Sequence, residues 1–314
     1  MLNKRIAVIG IVLVLILTSL FFLFNSNDAA YEIYKTDSPS RLQEVYLNVS
    51  DLEKISAFYQ DVIGFDILKE EQNKVTLTAD GVTPLVVLEE LPNSVDRPIG
   101  TTGLYHFAIL LADHSSLGAM LIHLSQTEYP MDGAANHQYS DALYLTDPDG
   151  NGIEIYVDLP PEKWERTKDG GYEGGSYPID FEKLVEEATP SWNGLPENTR
   201  IGHMHLQAAE LEITEQFYVE GLGFTITSKG NGSLFLSKDH YHHHVALNTW
   251  SGTGLPTPPP NSRGLKHFTI IFTNEEIEEA KTQLKRLEFP YEIVDDSIVV
   301  EDPSGNTLHI ITNY

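Results

Sequence analysis

The apolar and polar positions of the chain recur in one order: a short strand, an amphipathic helix and three further short strands. In the first quarter, this pattern predicts a strand from Val45 to Val49, and Ser50 or Asp51 can cap the helix that follows. Helical spacing puts on one face the apolar residues Leu52, Ile55, Phe58 and Tyr59. Gly64 is a typical residue to end that helix. This quarter is therefore predicted to be a βαβββ module.

The same module is predicted four times along the chain. In the third quarter, Phe217-Tyr218 and Gly223-Phe224 stand at the offsets that Phe58-Tyr59 and Gly64-Phe65 occupy in the first. The second and fourth quarters each begin with a strand that carries a histidine, continue with a helix, and end with an Asp-Pro-x-Gly turn and a last strand. The sequence thus predicts an α+β fold of four βαβββ modules.

Two blocks of the chain, residues 41–157 and 200–313, align with each other, and each holds two modules. They are predicted to form two domains. Residues 158–199 between them are rich in proline, glycine and charge, and are predicted to be a linker with one short helix over residues 181–188. A linker of this length allows modules to pair within a block or across the linker.

The N-terminus carries a separate apolar segment. Ile6 to Phe24 is a run of 19 residues without charge, preceded by Lys4 and Arg5. Such a run can span a bilayer core, and the basic flank favours an N-terminus on the inside. Residues 1–30 are therefore predicted to hold a transmembrane helix that anchors the protein, with the C-terminal domains extracytoplasmic. A cleaved signal peptide is the alternative.

Composition excludes several classes of function. The chain has 314 residues, with 46 acidic and 20 basic side chains and a formal net charge of −26. Such a surface repels phosphate backbones, so no nucleic-acid partner is expected. The chain has no cysteine, which excludes disulfides, thiolate zinc sites and cysteine nucleophiles. Any metal must then be held by histidine, carboxylate or neutral oxygen ligands.

Histidine or glutamate stands at matching places in the four modules, which a repeated fold alone does not explain. The matched pairs are Glu44 with His203, His106 with His267, and Glu154 with His309. Imidazole and carboxylate together suit a divalent ion such as Fe(II) or Mn(II). The repetition therefore predicts a metal site on the strands of these modules.

Four modules with these Phe-Tyr, Gly-Phe and Asp-Pro-x-Gly signatures resemble the vicinal oxygen chelate superfamily, which includes glyoxalases and extradiol dioxygenases. The resemblance covers the chain from about Arg41 to its end. The four-module length and the tripeptide His242-His243-His244 look most like a two-domain catechol 2,3-dioxygenase. The resemblance implies a ring-cleaving dioxygenase that acts on a small aromatic diol and O2, with Fe(II), or alternatively Mn(II), as its cofactor.

The resemblance also implies roles for individual residues. His203 matches the first-strand histidine ligand, His106 the histidine of the second module, and Glu154 the carboxylate ligand after the Asp-Pro-x-Gly turn. His243 matches the acid/base histidine. Tyr144, ten residues before Glu154, matches the tyrosine that supports the substrate.

These five residues are divided between the second and third modules, so pairing within blocks would leave neither block with the full set. Pairing within the second block would instead offer an alternative site at His267 and His309, beside His203. Pairing of the second module with the third brings all five together. We expect that arrangement, because catalysis requires the whole set in one cavity. His242 and His244 alternate with His243 along the expected strand, which predicts that they lie at the rim or form a local metal trap.

Two other functions remain open at this level. A glyoxalase-like metalloenzyme uses the same scaffold, but an extracytoplasmic protein would lack the cytosolic thiol cosubstrate. A non-catalytic protein that binds a small molecule or metal at the cell surface would agree with the anchor. A pure binder, however, would not need the acid/base histidine in addition to three metal ligands.

Overall fold

The computed structural model describes residues 40–312, except 169, 190 and 296. The α-helices in this part of the chain are α1 (Leu52–Phe58), α2 (His114–Thr127), α3 (Phe181–Glu187), α4 (Leu211–Gln216) and α5 (Asn274–Arg286). The strands are β1 (Arg41–Val49), β2 (Asp66–Glu71), β3 (Lys74–Thr78), β4 (Val86–Glu90), β5 (Gly103–Leu110), β6 (Gly133–Asn136), β7 (Ser140–Thr146), β8 (Gly152–Asp158), β9 (Arg200–Gln207), β10 (Thr225–Gly230), β11 (Ser233–Ser237), β12 (Val245–Asn248), β13 (Gly264–Phe272), β14 (Tyr291–Val294), β15 (Ser297–Glu301) and β16 (Thr307–Thr312). The order of elements is βαβββ in each quarter, as predicted.

The signals that mark the helices in the sequence act as expected in the first module. Asp51 caps α1 by accepting a hydrogen bond from the backbone N–H of Lys54 over 3.0 Å. A π-helical turn, Tyr59–Ile63, extends α1 until Gly64 ends it with a φ of 92°. Glycine adopts that left-handed backbone without the steric cost that a Cβ imposes, so the chain can turn sharply here into β2.

The strands of the described residues form two eight-stranded sheets, and each sheet takes one module from each block. One sheet has the order β14-β15-β16-β13-β1-β4-β3-β2, and the other has the order β10-β11-β12-β9-β5-β8-β7-β6. In the centre of each sheet two modules meet through an antiparallel strand pair, β1 with β13 and β5 with β9. The expected pairing of the second module with the third is confirmed. The blocks 41–157 and 200–313 therefore do not coincide with the two sheets.

Contacts within each block then join one sheet to the other. The buried Tyr59 hydroxyl donates to Asp147 Oδ2 over 3.0 Å, which ties the first module to the turn before β8. Tyr218 donates to Asp302 Oδ2 over 3.1 Å in the same way in the second block. Both tyrosines lie in one continuous cluster of buried apolar residues that includes strands of both sheets. Each block is thus a packing unit even though its modules belong to different sheets.

The predicted fold class is corrected on one point, the transmembrane helix. Across residues 40–312, apart from the three omitted positions, no helix is long and apolar enough to cross a bilayer. The run over residues 6–24 that carried the prediction lies outside the described residues. The architecture that the structure supports is a pair of half-barrel sheets in a mixed α+β fold.

The linker between the blocks contains the short helix that the sequence predicts, α3, whose N-cap is Asp180. It packs on α2 at Gly118, where an added Cβ would lie 2.1 Å from the Leu184 carbonyl oxygen. The absence of a side chain at Gly118 therefore lets the two helices approach closely. The linker is in this way fixed against the second module.

Candidate metal centre and active site

The three predicted metal ligands lie on neighbouring strands of the β5–β9 sheet. Ala108 in β5 is paired with His203 in β9 on one side and with Glu154 in β8 on the other. His106 precedes Ala108 by two residues, so strand alternation brings it to the same face. The register of three strands, rather than a local motif, is what brings the ligands together, and Ala108 leaves room between them.

The ligand atoms of these residues converge closely. His106 Nε2 lies 3.0 Å and His203 Nε2 lies 3.3 Å from Glu154 Oε2, and the two nitrogens are 3.4 Å apart. All three side chains are buried. Donors in adjacent positions about 2.1 Å from an octahedral ion lie about 3 Å apart. The residues therefore have the spacing of three ligands that could hold one divalent ion.

Burial and mutual contact set the charge of these groups. Burial lowers the pKa of His203 to about 4, although Glu154 acts in the opposite direction, so the imidazole is uncharged near neutral pH. Burial alone would raise the pKa of the Glu154 carboxyl, but hydrogen bonds from the His106 and His203 imidazoles hold it well below its usual value. An imidazole lone pair and a carboxylate are the forms that bind a metal.

His243, which the resemblance assigns as the acid/base residue, lies beside the three candidate ligands. Its ring centroid is 4.2 Å from that of His203, and it packs edge-on against Phe235. Burial holds its pKa well below the usual value for histidine. The prediction that His242 and His244 lie at the rim is wrong, because both are buried. The tripeptide precedes β12 instead of lying in it, so strand alternation does not apply to it.

Tyr144 faces the same site from β7, where it is paired with Glu154. Its ring centroid is 5.7 Å from that of His106. Burial and the nearby Glu154 carboxylate raise the pKa of the Tyr144 hydroxyl, which therefore stays protonated and can donate a hydrogen bond. The hydroxyl lies 2.6 Å from His137 Nε2, and His137 Nδ1 lies 2.6 Å from the Gly175 carbonyl oxygen. Because the carbonyl only accepts, His137 donates from Nδ1 and Tyr144 donates to Nε2.

His137 and His205 were not identified from the sequence as site residues. His205 follows His203 by two positions on β9 and accepts a hydrogen bond from the Asn248 amide over 3.0 Å. Its ring centroid is 4.8 Å from that of His106. The alternation of β9 was a signal for His205, since positions two apart share a face. His137 lies in a loop, where no periodic signal exists.

A cavity of about 870 Å³ opens over the candidate metal ligands. Its apolar wall is formed by aromatic residues from five segments: Tyr105, Tyr139, Tyr172, Phe235 and Trp250. The linker supplies Tyr172 and the residues Gly174 to Ser176. Backbone hydrogen bonds hold it there, from Tyr172 N to Thr227 O over 2.8 Å and from Tyr177 N to Asn136 O over 3.0 Å. The linker is therefore a wall of the site.

The alternative site does not form in the other sheet. His267 and His309 stack face to face, with centroids 3.8 Å apart and an interplanar angle of 8°. Thr269 takes the place that Ala108 has in the first site, between His309 and Glu44. Among the residues the structure describes, one group of three histidine or carboxylate side chains has its ligand atoms within 4.8 Å of one another. This group is His106, Glu154 and His203.

Sequence relatives agree with the resemblance found in the sequence. The chain is 41% identical over 262 residues to "Catechol-2,3-dioxygenase" of Bacillus subtilis (strain 168), which covers 82% of this chain and 92% of the relative. It is 30% identical over 122 residues to "Biphenyl-2,3-diol 1,2-dioxygenase 3" of Rhodococcus globerulus, covering 37% of this chain and 64% of the relative.

Solved structures share the fold. A putative dioxygenase from Bacillus subtilis subsp. subtilis str. 168 superposes with a TM-score of 0.62 at 11% identity, covering 87% of this chain and 84% of the other. Glyoxalase I from Zea mays gives a TM-score of 0.54 at 14% identity, covering 87% and 92%. A family model described as "Glyoxalase/Bleomycin resistance protein/Dioxygenase superfamily" matches residues 41–155 and 200–310. The chain belongs to this superfamily.

Proposed function

We propose that the protein is a metal-dependent extradiol dioxygenase that opens the ring of catechol-type aromatics. The observation that carries the proposal is the convergence of His106, Glu154 and His203 beside His243 in one cavity. The identity to a catechol-2,3-dioxygenase across most of both chains supports it.

His106, His203 and Glu154 would hold the ion, which we propose to be Fe(II), with Mn(II) as the alternative. When bound, such an ion supplies open positions for two adjacent substrate oxygens and for O2. The chain holds the substrate ring between aromatic side chains, such as Tyr105, Phe235 and Trp250, which line the cavity. Their apolar surface also excludes water from the reacting groups.

Two residues of the chain would handle protons. His243 takes the proton of a substrate hydroxyl as the diol binds, and later returns it to an oxygen of the opening ring. Tyr144 donates a hydrogen bond to a substrate oxygen if its hydroxyl turns from His137 into the cavity. The role of the scaffold is to keep these groups within reach of one diol.

The proposal is tested by loading the purified chain with Fe(II) under anaerobic conditions and measuring oxygen uptake on addition of catechol. We expect one O2 consumed per catechol and a yellow ring-fission product. Turnover of a methylglyoxal–thiol adduct without oxygen uptake would instead support a glyoxalase-like activity. Tight binding of catechol without turnover by iron-loaded protein would support a binding protein, and either result would contradict the proposal.

A further inference from the structure

A chain of hydrogen bonds leads from His243 away from the cavity. His243 Nδ1 lies 2.7 Å from His242 Nδ1, and His242 Nε2 lies 2.8 Å from Asp158 Oδ1. The Tyr241 hydroxyl donates to the same carboxylate oxygen over 3.1 Å. His242 is only 1% exposed, whereas 19% of the Asp158 side chain is exposed. The chain therefore connects a buried side chain at the candidate metal centre with the surface.

The carboxylate fixes the direction of these hydrogen bonds. An ionised carboxylate only accepts, so His242 donates to Asp158 from Nε2. While His242 is uncharged, its Nδ1 then carries a lone pair and accepts a hydrogen bond from His243 Nδ1. The proton of uncharged His243 therefore lies on Nδ1, and its Nε2 keeps a lone pair. This is the tautomer that can accept a proton from a substrate in the cavity.

We propose that His242 and Asp158 are positioning residues that set this tautomer and relay the proton which His243 accepts. The inference rests on the proposed dioxygenase function for its catalytic meaning, but the tautomer follows from the hydrogen bonds alone. Neither His242 nor Asp158 lines the cavity, so both act through His243.

The relay conserves protons and charge at each step. A substrate hydroxyl gives its proton to His243 Nε2, and the Nδ1 proton of His243 passes to His242 Nδ1. His243 is then uncharged again with its proton on Nε2, and His242 is an imidazolium paired with the Asp158 carboxylate. The reverse transfer returns a proton from His243 Nε2 to the product. No oxidant or reductant is needed for these steps.

Aromatic rings surround His242. Its ring stacks on Tyr139 at a centroid distance of 4.4 Å and an angle of 17°. Trp164 and Tyr241 pack against it at 5.2 Å and 4.0 Å. Aromatic rings attract a cation. The His242 ring centroid lies 6.3 Å from that of His203, whereas the His243 centroid lies 4.2 Å from it. Proton transfer from His243 to His242 therefore moves positive charge away from the proposed metal.

The test uses two variants that preserve shape. Asp158→Asn keeps an oxygen that can accept from His242 and removes the charge. His242→Phe keeps the ring that stacks on Tyr139 and removes both nitrogens. The matched control is Asp141→Asn, because Asp141 accepts from His114 Nε2 over 2.9 Å outside the cavity. Nitrogen-15 NMR of the His243 ring, in the full chain loaded with diamagnetic Zn(II), reports its tautomer without any activity.

We expect His243 to be protonated on Nδ1 in the unmodified protein, and to lose that preference in His242→Phe. In the iron-loaded enzyme, we expect kcat to fall on the order of 10- to 100-fold in Asp158→Asn and His242→Phe, the usual effect of losing such a supporting partner. Metal content and KM should be unchanged in both variants, and Asp141→Asn should keep the kcat of the unmodified protein.

A His243 ring with its proton on Nε2, or one that keeps the same tautomer in His242→Phe, would overturn the inference. So would an unchanged kcat in both variants. If the expected tautomer is found but the unmodified protein consumes no O2 with catechol, the proposed function fails while the hydrogen-bond assignment stands. The two failures are therefore separable.

Discussion

Replacing His106 with alanine should empty the candidate metal centre, whereas the same change at His267 should not. His267 holds the matching position in the other sheet, but its ring is stacked on His309 instead of converging with a carboxylate. The two variants thus remove the same side chain from the same kind of strand. Only one of them removes a member of the group His106, Glu154 and His203.

The size of the effect follows from the number of ligands. Loss of a supporting partner outside the ligand set typically lowers metal affinity 10- to 100-fold. Loss of one of three ligands should exceed that range, so we expect the dissociation constant for Fe(II) or Mn(II) to rise at least about 100-fold in His106→Ala. This equals about 2.8 kcal/mol or more of binding free energy. His267→Ala should stay within about twofold of the unmodified protein.

Anaerobic titration calorimetry with Fe(II) and Mn(II) measures both dissociation constants, and circular dichroism verifies that each variant is folded. The reasoning is refuted if His106→Ala, while folded, binds the ion as tightly as the unmodified chain. It is equally refuted if His267→Ala loses the ion, because the ligand set would then lie in the other sheet.

Three further predictions concern packing, pH and the substrate. Gly202→Ala places a Cβ 1.8 Å from the Tyr156 hydroxyl, so it should lower the free energy of unfolding by about 1–3 kcal/mol. At the control position Gly230, an added Cβ has nothing within 4 Å, so Gly230→Ala should change the free energy of unfolding much less. Denaturant unfolding measures both variants. Burial lowers the pKa of His244 to about 3, so between pH 6.5 and 5 the unfolded state binds a proton that the folded state does not. For each buried histidine of this kind, the free energy of unfolding should then fall by about 2 kcal/mol over this pH range. His244→Gln should make the free energy of unfolding depend less steeply on pH. An equal pH dependence in the two proteins would contradict the lowered pKa of His244. Tyr144→Phe should lower kcat/KM with catechol by roughly tenfold, the value of one hydrogen bond, with metal content unchanged; an unchanged kcat/KM would remove Tyr144 from the mechanism.

The module order could be predicted from the sequence because it depends on short-range periodicity, whereas the candidate ligands came from the resemblance to the superfamily. Alternation fixes which strand residues share a face, and the repeat aligned Glu44 with His203 and Glu154 with His309. The pairing of the second module with the third was inferred from a chemical requirement and not from periodicity. The five candidate site residues are divided between these two modules, and catalysis requires them in one cavity. The observed β5–β9 pairing agrees with that reasoning.

Other features depend on tertiary contacts that no periodic signal records. His242 was assigned to the rim because a strand was assumed, but β12 begins only at Val245. The chain before it is irregular, with positive φ angles at Asp239 and His240, so the tripeptide can turn inward. The linker was expected only to separate the blocks, whereas its position over the cavity is fixed by hydrogen bonds to distant strands.

The central claim is that one divalent ion is bound by residues from the second and third modules. Anomalous diffraction at the iron or manganese edge, from crystals of the metal-loaded protein, locates that ion directly. We predict a single anomalous peak within about 2.3 Å of His106 Nε2, His203 Nε2 and a Glu154 carboxylate oxygen. A peak at His267 and His309, or none at the three predicted ligands in fully loaded protein, would contradict the account.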